Sequence, residues 1–292
     1  MIYEIKNQAL TVAIDTRGAQ MQSIKDRNGQ EYLWQGDPAY WPDRALNIFP
    51  YVARLTRGKY TLHGKEYSMD IHGFVCSCDL KAEKTAENKI CFQLRANSIT
   101  RAQYPFDFVY GVCYELDENS LKITYSVKNE GKETMYFGIG GHPGFGIPFE
   151  KDTVFEDYYL EFSKPCRPVR IGFSEDCFLN GEDTPFPLKG DRILSLRHNL
   201  FDEDAIVLKQ MAKEVTLKNK KGTKAIAVSY PEMDYLGIWH APKTDAPYVC
   251  IEPWSSLPSR KNVVEDLKSQ PDLISLEGGR TYWNHWEIRV VM

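Results

Sequence analysis

The absences in this sequence exclude most function classes before any motif is considered. No apolar run approaches the ~20 residues of a membrane-spanning helix. There is no basic excess: 36 Lys and Arg stand against 40 Asp and Glu, a formal net charge of −4. Neither nucleic acid nor an anionic membrane is therefore an expected partner. GxGxxG, Walker A and GxSxG patterns are missing, so nicotinamide, nucleotide and serine-hydrolase chemistry have no signature. No CxxC pair occurs among the seven cysteines. Cys76 and Cys78 form a CxC with no second pair to complete a zinc site, so no metal is expected, and no cofactor. The opening MIYEIKNQALTVAID alternates at once and carries acids early, unlike a signal peptide. The expected setting is the cytoplasm, with reduced thiols packed as small hydrophobes and the CxC on one side of a strand.

Period-two alternation fills the space left by these absences. LTVAIDT, KYTLHGKEYSM, KICFQLRA, SLKITYSVKN, EVTLKN, KAIAVSY, YLGIWHA and WEIRVVM read as strands, separated by turn signals such as HGKE, DENS and NKKG. Short turns between successive strands predict antiparallel pairing. Helix is expected at KNVVEDLKSQ (261–270), and short helical turns near WPDRALN. The stretch from Pro148 to Asn199 reads as long loops inserted within one domain. The expectation is an all-β chain, residues 1–292 forming a single large antiparallel β-sandwich, with function on a rim or concave face.

Three stretches stand out chemically. In GIGGHPGFGIP (138–148), His142 sits among glycines, with Pro143 restricting its backbone. In YVCIEPWSSLPSR, an apolar strand runs into Glu252, whose burial would be costly unless it is paired or poised. An ion pair with Arg54 or Arg260 is the structural alternative. In NIFPYVARL, Arg54 lies in an apolar surround and needs an anionic or hydroxylated partner. His72 and His240 sit at strand ends, while His63, His198 and His285 read as structural.

In this order, FPYVARL, HGF, GGHPGF, IEPW and a closing strand after LEGG resemble the aldose 1-epimerases, or galactose mutarotase-like proteins. The likeness runs from about residue 10 to 290. GGHPGF and EPWSSLPSR look like the bacterial LacX-type branch. The resemblance implies a β-supersandwich with a sugar cleft and cofactor-free interconversion of α and β anomers. It implies Glu252 as the base on the C1 hydroxyl and His142 as the acid on the ring oxygen. Arg54 and His72 would hold sugar oxygens, with Asp204, or else Asp202, on the hydroxyls. Better-studied galactose mutarotases carry Asn-His-aromatic where this chain has Gly141-His142-Pro143, a departure that bears on sugar specificity.

That chemistry suits the residues. Ring opening needs one group to take a proton from O1 and another to give one to the ring oxygen, with roles reversed on closure. A carboxylate beside an imidazolium is expected to favour both ionised forms. The glycines are expected to leave room for the sugar, with Phe145, Trp239 and Trp254 stacking on it, so that Gly141→Val would cut kcat/KM in a folded protein. Two alternatives share the scaffold. One is a hexose 6-phosphate mutarotase using Arg57, Lys59, Arg260 or Lys261; the other is a non-catalytic carbohydrate-binding protein. A cupin-like metal enzyme lacks its HxH. The expected partner is a small-molecule sugar, and the chain could be a monomer or homodimer.

Overall fold

The computed structural model describes residues 1–292. Its strands gather into two large antiparallel sheets. The nine-stranded sheet runs Ile193–Ser195, Tyr158–Phe162, Glu214–Asn219, Ala225–Ser229, Thr281–Val291, Ser120–Asn129, Phe108–Asp117, Lys89–Arg95, Lys81–Ala86. The seven-stranded sheet runs Thr184–Pro185, Val169–Arg170, Ile206–Lys209, Tyr235–Trp239, Tyr248–Trp254, Gly140–Gly146, Ala45–Ile48. This is the antiparallel β-sandwich that the alternation predicted. No helix is long and apolar enough to cross a membrane.

The two sheets are written differently in the sequence. Ser120–Asn129 buries Leu121, Ile123, Tyr125 and Val127 while intervening residues face outward, the pattern of a sheet with one wet face. Tyr248–Trp254 is buried at every position. One face of its sheet packs on the nine-stranded sheet: Trp286 backs against Gly141, and the Tyr125 hydroxyl donates to Asn47 and to the Gly140 carbonyl. The opposite face is the floor of a cleft.

Several expectations are corrected. Residues 261–270 form turns instead of a helix. Thr61 N–H donates to the Glu265 carbonyl, Leu267 N–H donates to that of Thr61, and the Glu265 carboxylate grips Arg260; these tertiary bonds override local propensity. In WPDRALN the chain bends and then enters a strand at Ala45. The α-helix is Ser98–Gln103, whose capping box joins Asn97 and Thr100. The stretch from Pro148 to Asn199 is not all loop: Tyr158–Phe162 joins the nine-stranded sheet. Cys91 and Cys113 face each other on neighbouring strands and are joined as a disulfide, against the expectation of reduced thiols throughout. Cys76 lies in a 3-10 turn, Val75–Ser77, so the CxC is not on a strand.

Candidate active site

The centre of the cleft floor follows from strand register. Strands Gly140–Gly146 and Tyr248–Trp254 pair at Gly140↔Trp254 and Gly144↔Cys250, with no pairing between those points. Pro143 and Pro253 stand in the gap, and neither has an N–H to give the ladder. The register sets His142 across from Glu252. On the outer sides His142 pairs with Leu46, Glu252 with Gly237, and Gly237 with Val207. Cross-strand partners share a face, so Leu46, His142, Glu252, Gly237 and Val207 form one transverse row. A Cβ at Gly237 would lie 3.2 Å from the Glu252 Cβ, so glycine there leaves the carboxylic side chain its space.

Loops bring the remaining polar groups over this row. Arg54, His72, Asp204, His142 and Glu252 all line one cleft of about 300 Å³. His72 is turned in by left-handed backbone (φ 64°). Gly73 follows it at φ 78°, where a Cβ would strike the Phe49 carbonyl oxygen at 2.2 Å. The Ala53 N–H donates to His72 Nδ1 at 3.3 Å, leaving Nε2 as the protonated nitrogen of the neutral ring. Asp204 accepts from the Ala205 N–H and from the Cys177 thiol, each at 2.9 Å. Asp202 lies outside the cleft lining. The Arg54 guanidinium has no carboxylate within ion-pairing distance, and Glu252 pairs with neither Arg54 nor Arg260.

His142 Nε2 approaches Glu252 Oε2 to 3.2 Å. This oxygen and His142 Nδ1 are both buried without hydrogen-bond partners. Burial pushes Glu252 well above the usual carboxylate range, reinforced by the negative charge of Asp204 and partly opposed by the Trp254 N–H. Burial also holds His142 well below its usual range, with His72 adding to the effect. Burial thus favours the uncharged form of each group. Burial, then Arg54, lowers His72 to about 4, against the pull of Asp204.

Three glycines of this stretch, Gly140, Gly141 and Gly144, lie against tryptophan side chains. A Cβ at Gly141 would lie 2.6 Å from the Trp286 ring, on the core side of the sheet. At Gly140 and Gly144 it would press on Trp254 (2.9 Å) and Trp41 (3.1 Å), two walls of the cleft. Phe145 is fully buried in the core and cannot stack on a ligand, whereas Trp239 and Trp254 do line the cleft. His142, Cys250 and Glu252 also bring three potential ligand atoms within 4.8 Å of one another. Burial pushes the Cys250 thiol far up, so a metal there would have to displace tightly held protons from both Cys250 and Glu252.

The family model described as aldose 1-epimerase matches residues 1–289. The chain belongs to the aldose 1-epimerase family. It is 33% identical over 290 residues to the chromosomal protein LacX of Lactococcus lactis subsp. lactis, covering 95% of this chain and 96% of that one. Its structure is similar to that of a galactose mutarotase related enzyme from Lactobacillus acidophilus, with a TM-score of 0.95 and 34% identity over 100% of this chain and 98% of the other. A galactose mutarotase-like protein from Lactobacillus casei gives a TM-score of 0.92 and 26% identity over 99% and 100%.

Within this epimerase-family cleft, sequence reasoning missed two neighbours of the polar cluster. Trp41 lies 4.7 Å from the His142 ring, centroid to centroid, at 31°; no local pattern in AYWPDR marks it as a wall. Cys177 sits in the irregular 148–199 stretch, and only tertiary folding brings its thiol to Asp204. His240, conversely, is wholly buried and faces His198 (Nε2 to Nδ1, 3.2 Å) outside the cleft lining.

Proposed function

We propose that this protein is a mutarotase that interconverts the α and β anomers of a free hexose by acid–base ring opening. The observation that carries the reading is the buried His142–Glu252 pair at the cleft floor, 3.2 Å apart and retaining unpaired polar atoms. A buried polar atom without a partner is costly, and sugar hydroxyls supply the missing partners.

The reaction needs one proton shared between the two groups. Proton transfer from Glu252 to His142 produces a carboxylate and an imidazolium. Glu252 then removes the proton from the C1 hydroxyl while His142 protonates the ring oxygen; the C1–ring oxygen bond breaks and C1 becomes a carbonyl. Rotation about C1–C2 presents the other face. Reclosure returns the proton from Glu252 to the carbonyl oxygen and takes one back onto His142, so atoms and charge balance. Each positioned transfer is worth about 10²–10⁴-fold. His72, neutral at pH 7 with Nε2–H, and the unpaired Arg54 donate to sugar oxygens, while Asp204 accepts from hydroxyls. Trp41, Trp239 and Trp254 offer apolar faces to the ring.

A free hexose is favoured over its 6-phosphate by charge. Arg57, Lys59, Arg260 and Lys261 do not line the cleft, and Arg260 is held by Glu265. Arg54 is the one Lys or Arg there, against Asp43, Glu203 and Asp204. Polarimetry on freshly dissolved α-D-glucose and α-D-galactose tests the proposal. Wild type should speed equilibration, and Glu252→Gln and His142→Asn should abolish the effect while keeping the fold. Acceleration confined to the 6-phosphates would replace the free-sugar reading. No acceleration with any sugar, but saturable binding, would establish a carbohydrate-binding protein.

A further inference from the structure

Three rings surround His142, and one differs from the others in its geometry. Trp239 and His72 meet the imidazole edge-on, at 5.7 Å and 80° and at 5.3 Å and 86°. Trp41 lies close to parallel, 4.7 Å away at 31°. The backbone builds that placement. The loop from Trp34 to Arg44 is clipped at both ends to one residue of the His142 strand. The Trp34 N–H donates to the Gly144 carbonyl, and the Gly144 N–H donates to that of Arg44, each at 2.8 Å. Inside the loop, the Trp34 indole N–H donates to the Trp41 carbonyl at 2.8 Å, and the Trp41 N–H donates to the Asp37 carbonyl at 3.0 Å. Tyr248 (5.9 Å, 29°) and Trp239 (5.6 Å, 84°) pack around the Trp41 indole. The indole is thus fixed relative to the imidazole, two residues from the clip.

We propose that Trp41 is a positioning residue for the proton transfers: its face holds the His142 ring and stabilises the imidazolium formed during ring opening. The inference rests on the acid–base reading of His142 and deepens it. An aromatic face is electron-rich and attracts a cation within about 6 Å of its centroid. Burial favours the neutral imidazole, so the attraction grows as the ring takes its proton. An interaction gained along the reaction raises kcat more than it raises affinity. The titratable groups around His142 differ in kind. Glu252 and Cys250 face it from the neighbouring strand, but Glu252 loses its charge on taking the C1 proton. His72 and Arg54 bring donors or positive charge, while Asp43, Glu203 and Asp204 share the lining without ion-pairing to the ring. The indole has no net charge and exchanges no proton, so it favours the imidazolium at every stage.

Fluorinated tryptophans installed at position 41 test the inference, because fluorine drains electron density from the indole face and barely alters its shape. Polarimetry uses whichever of α-D-glucose and α-D-galactose the wild type equilibrates faster. The kcat should fall in steps through the mono-, di- and tetrafluoro forms, by about ten-fold at the last, with KM within about two-fold. Trp41→Leu should lose at least as much, and Trp41→Phe should recover most of that loss. The fluorinated forms decide the matter if the leucine variant fails to fold. A flat kcat series in an active enzyme would overturn the inference and leave the mutarotase standing. A loss confined to KM would do the same, making Trp41 a wall for the sugar and nothing more. A wild type that accelerates the equilibration of no sugar would overturn both.

Discussion

Glu252 and Glu265 are nearly equally buried, at 1% and 4% exposure, yet their carboxyl groups behave oppositely. Burial pushes Glu265 up, but hydrogen bonds and charge from Arg260 outweigh it and hold the group below its usual range. Glu252 has an imidazole and an indole beside it in place of a guanidinium, and its pKa stays well above that range. Glu252 is the more deeply enclosed of the two, and the partner differs as well. A permanent cation turns a buried glutamate into a structural clamp. A partner that can itself give up its proton leaves the glutamate poised for proton transfer.

The largest effect that could break this contrast is at Glu252. Glu252→Gln should lower mutarotation by about 10²–10⁴-fold, read by polarimetry, with the thermal transition at pH 7 unchanged or raised. Because the folded pKa is above the unfolded one, the native state holds a proton that the unfolded chain releases. Stability from this group is thus full below the unfolded pKa and falls as pH rises towards the folded value. Glutamine should remove that slope. A Glu252→Gln protein with wild-type turnover would end the proposed role.

Gly141→Val comes next. Its methyl groups would enter the Trp286 ring, and overpacking of this kind costs about 1–3 kcal/mol. Denaturant melts should show the loss, with activity reduced only through the folded fraction. A stable but inactive variant would restore the view that this glycine serves the sugar.

Glu265→Gln should leave turnover intact and destabilise by about 1 kcal/mol, because the charge-assisted bonds to a largely exposed Arg260 are screened. Its pH signature is opposite in sign. The lowered folded pKa gives stability present above the unfolded pKa and lost as pH falls through the folded one, so the variant should differ least from wild type in acid. Urea melts at pH 3 and pH 7 compare the two glutamates directly.

The smallest expected effect is at Cys177. Burial, with the hydrogen bond to Asp204, pushes its thiol up to about 12, so it donates without reacting at neutral pH. Cys177→Ala should raise KM a few-fold with kcat nearly constant, while Cys177→Ser should restore KM. Loss of kcat instead would place Asp204 closer to the proton transfers than a binding role allows.

Alternation and turn chemistry were enough to read the antiparallel sandwich from the sequence, because half-wet strands such as Ser120–Asn129 must alternate to bury one face. The order of the Arg, His, His and Glu motifs pointed to the family. Local pattern misled where tertiary bonds outbid it: residues 261–270 look helical alone, but Glu265 and its neighbours bond to Arg260 and Thr61 instead. It misled again at Gly141, since a glycine required by a tryptophan 145 positions along the chain looks like one required by a ligand.

By itself the sequence determined the all-β class and the antiparallel pairing of its alternating strands, which follow from side-chain periodicity and local turns, while the candidate polar residues came from the resemblance of their motifs to a family. Only the tertiary structure decided that His142 stands across from Glu252, that Cys177 meets Asp204, and that burial favours the uncharged forms of His142 and Glu252. Register across a gap between two prolines, and the loss of water on burial, are properties of packed neighbours and belong to no single segment of chain.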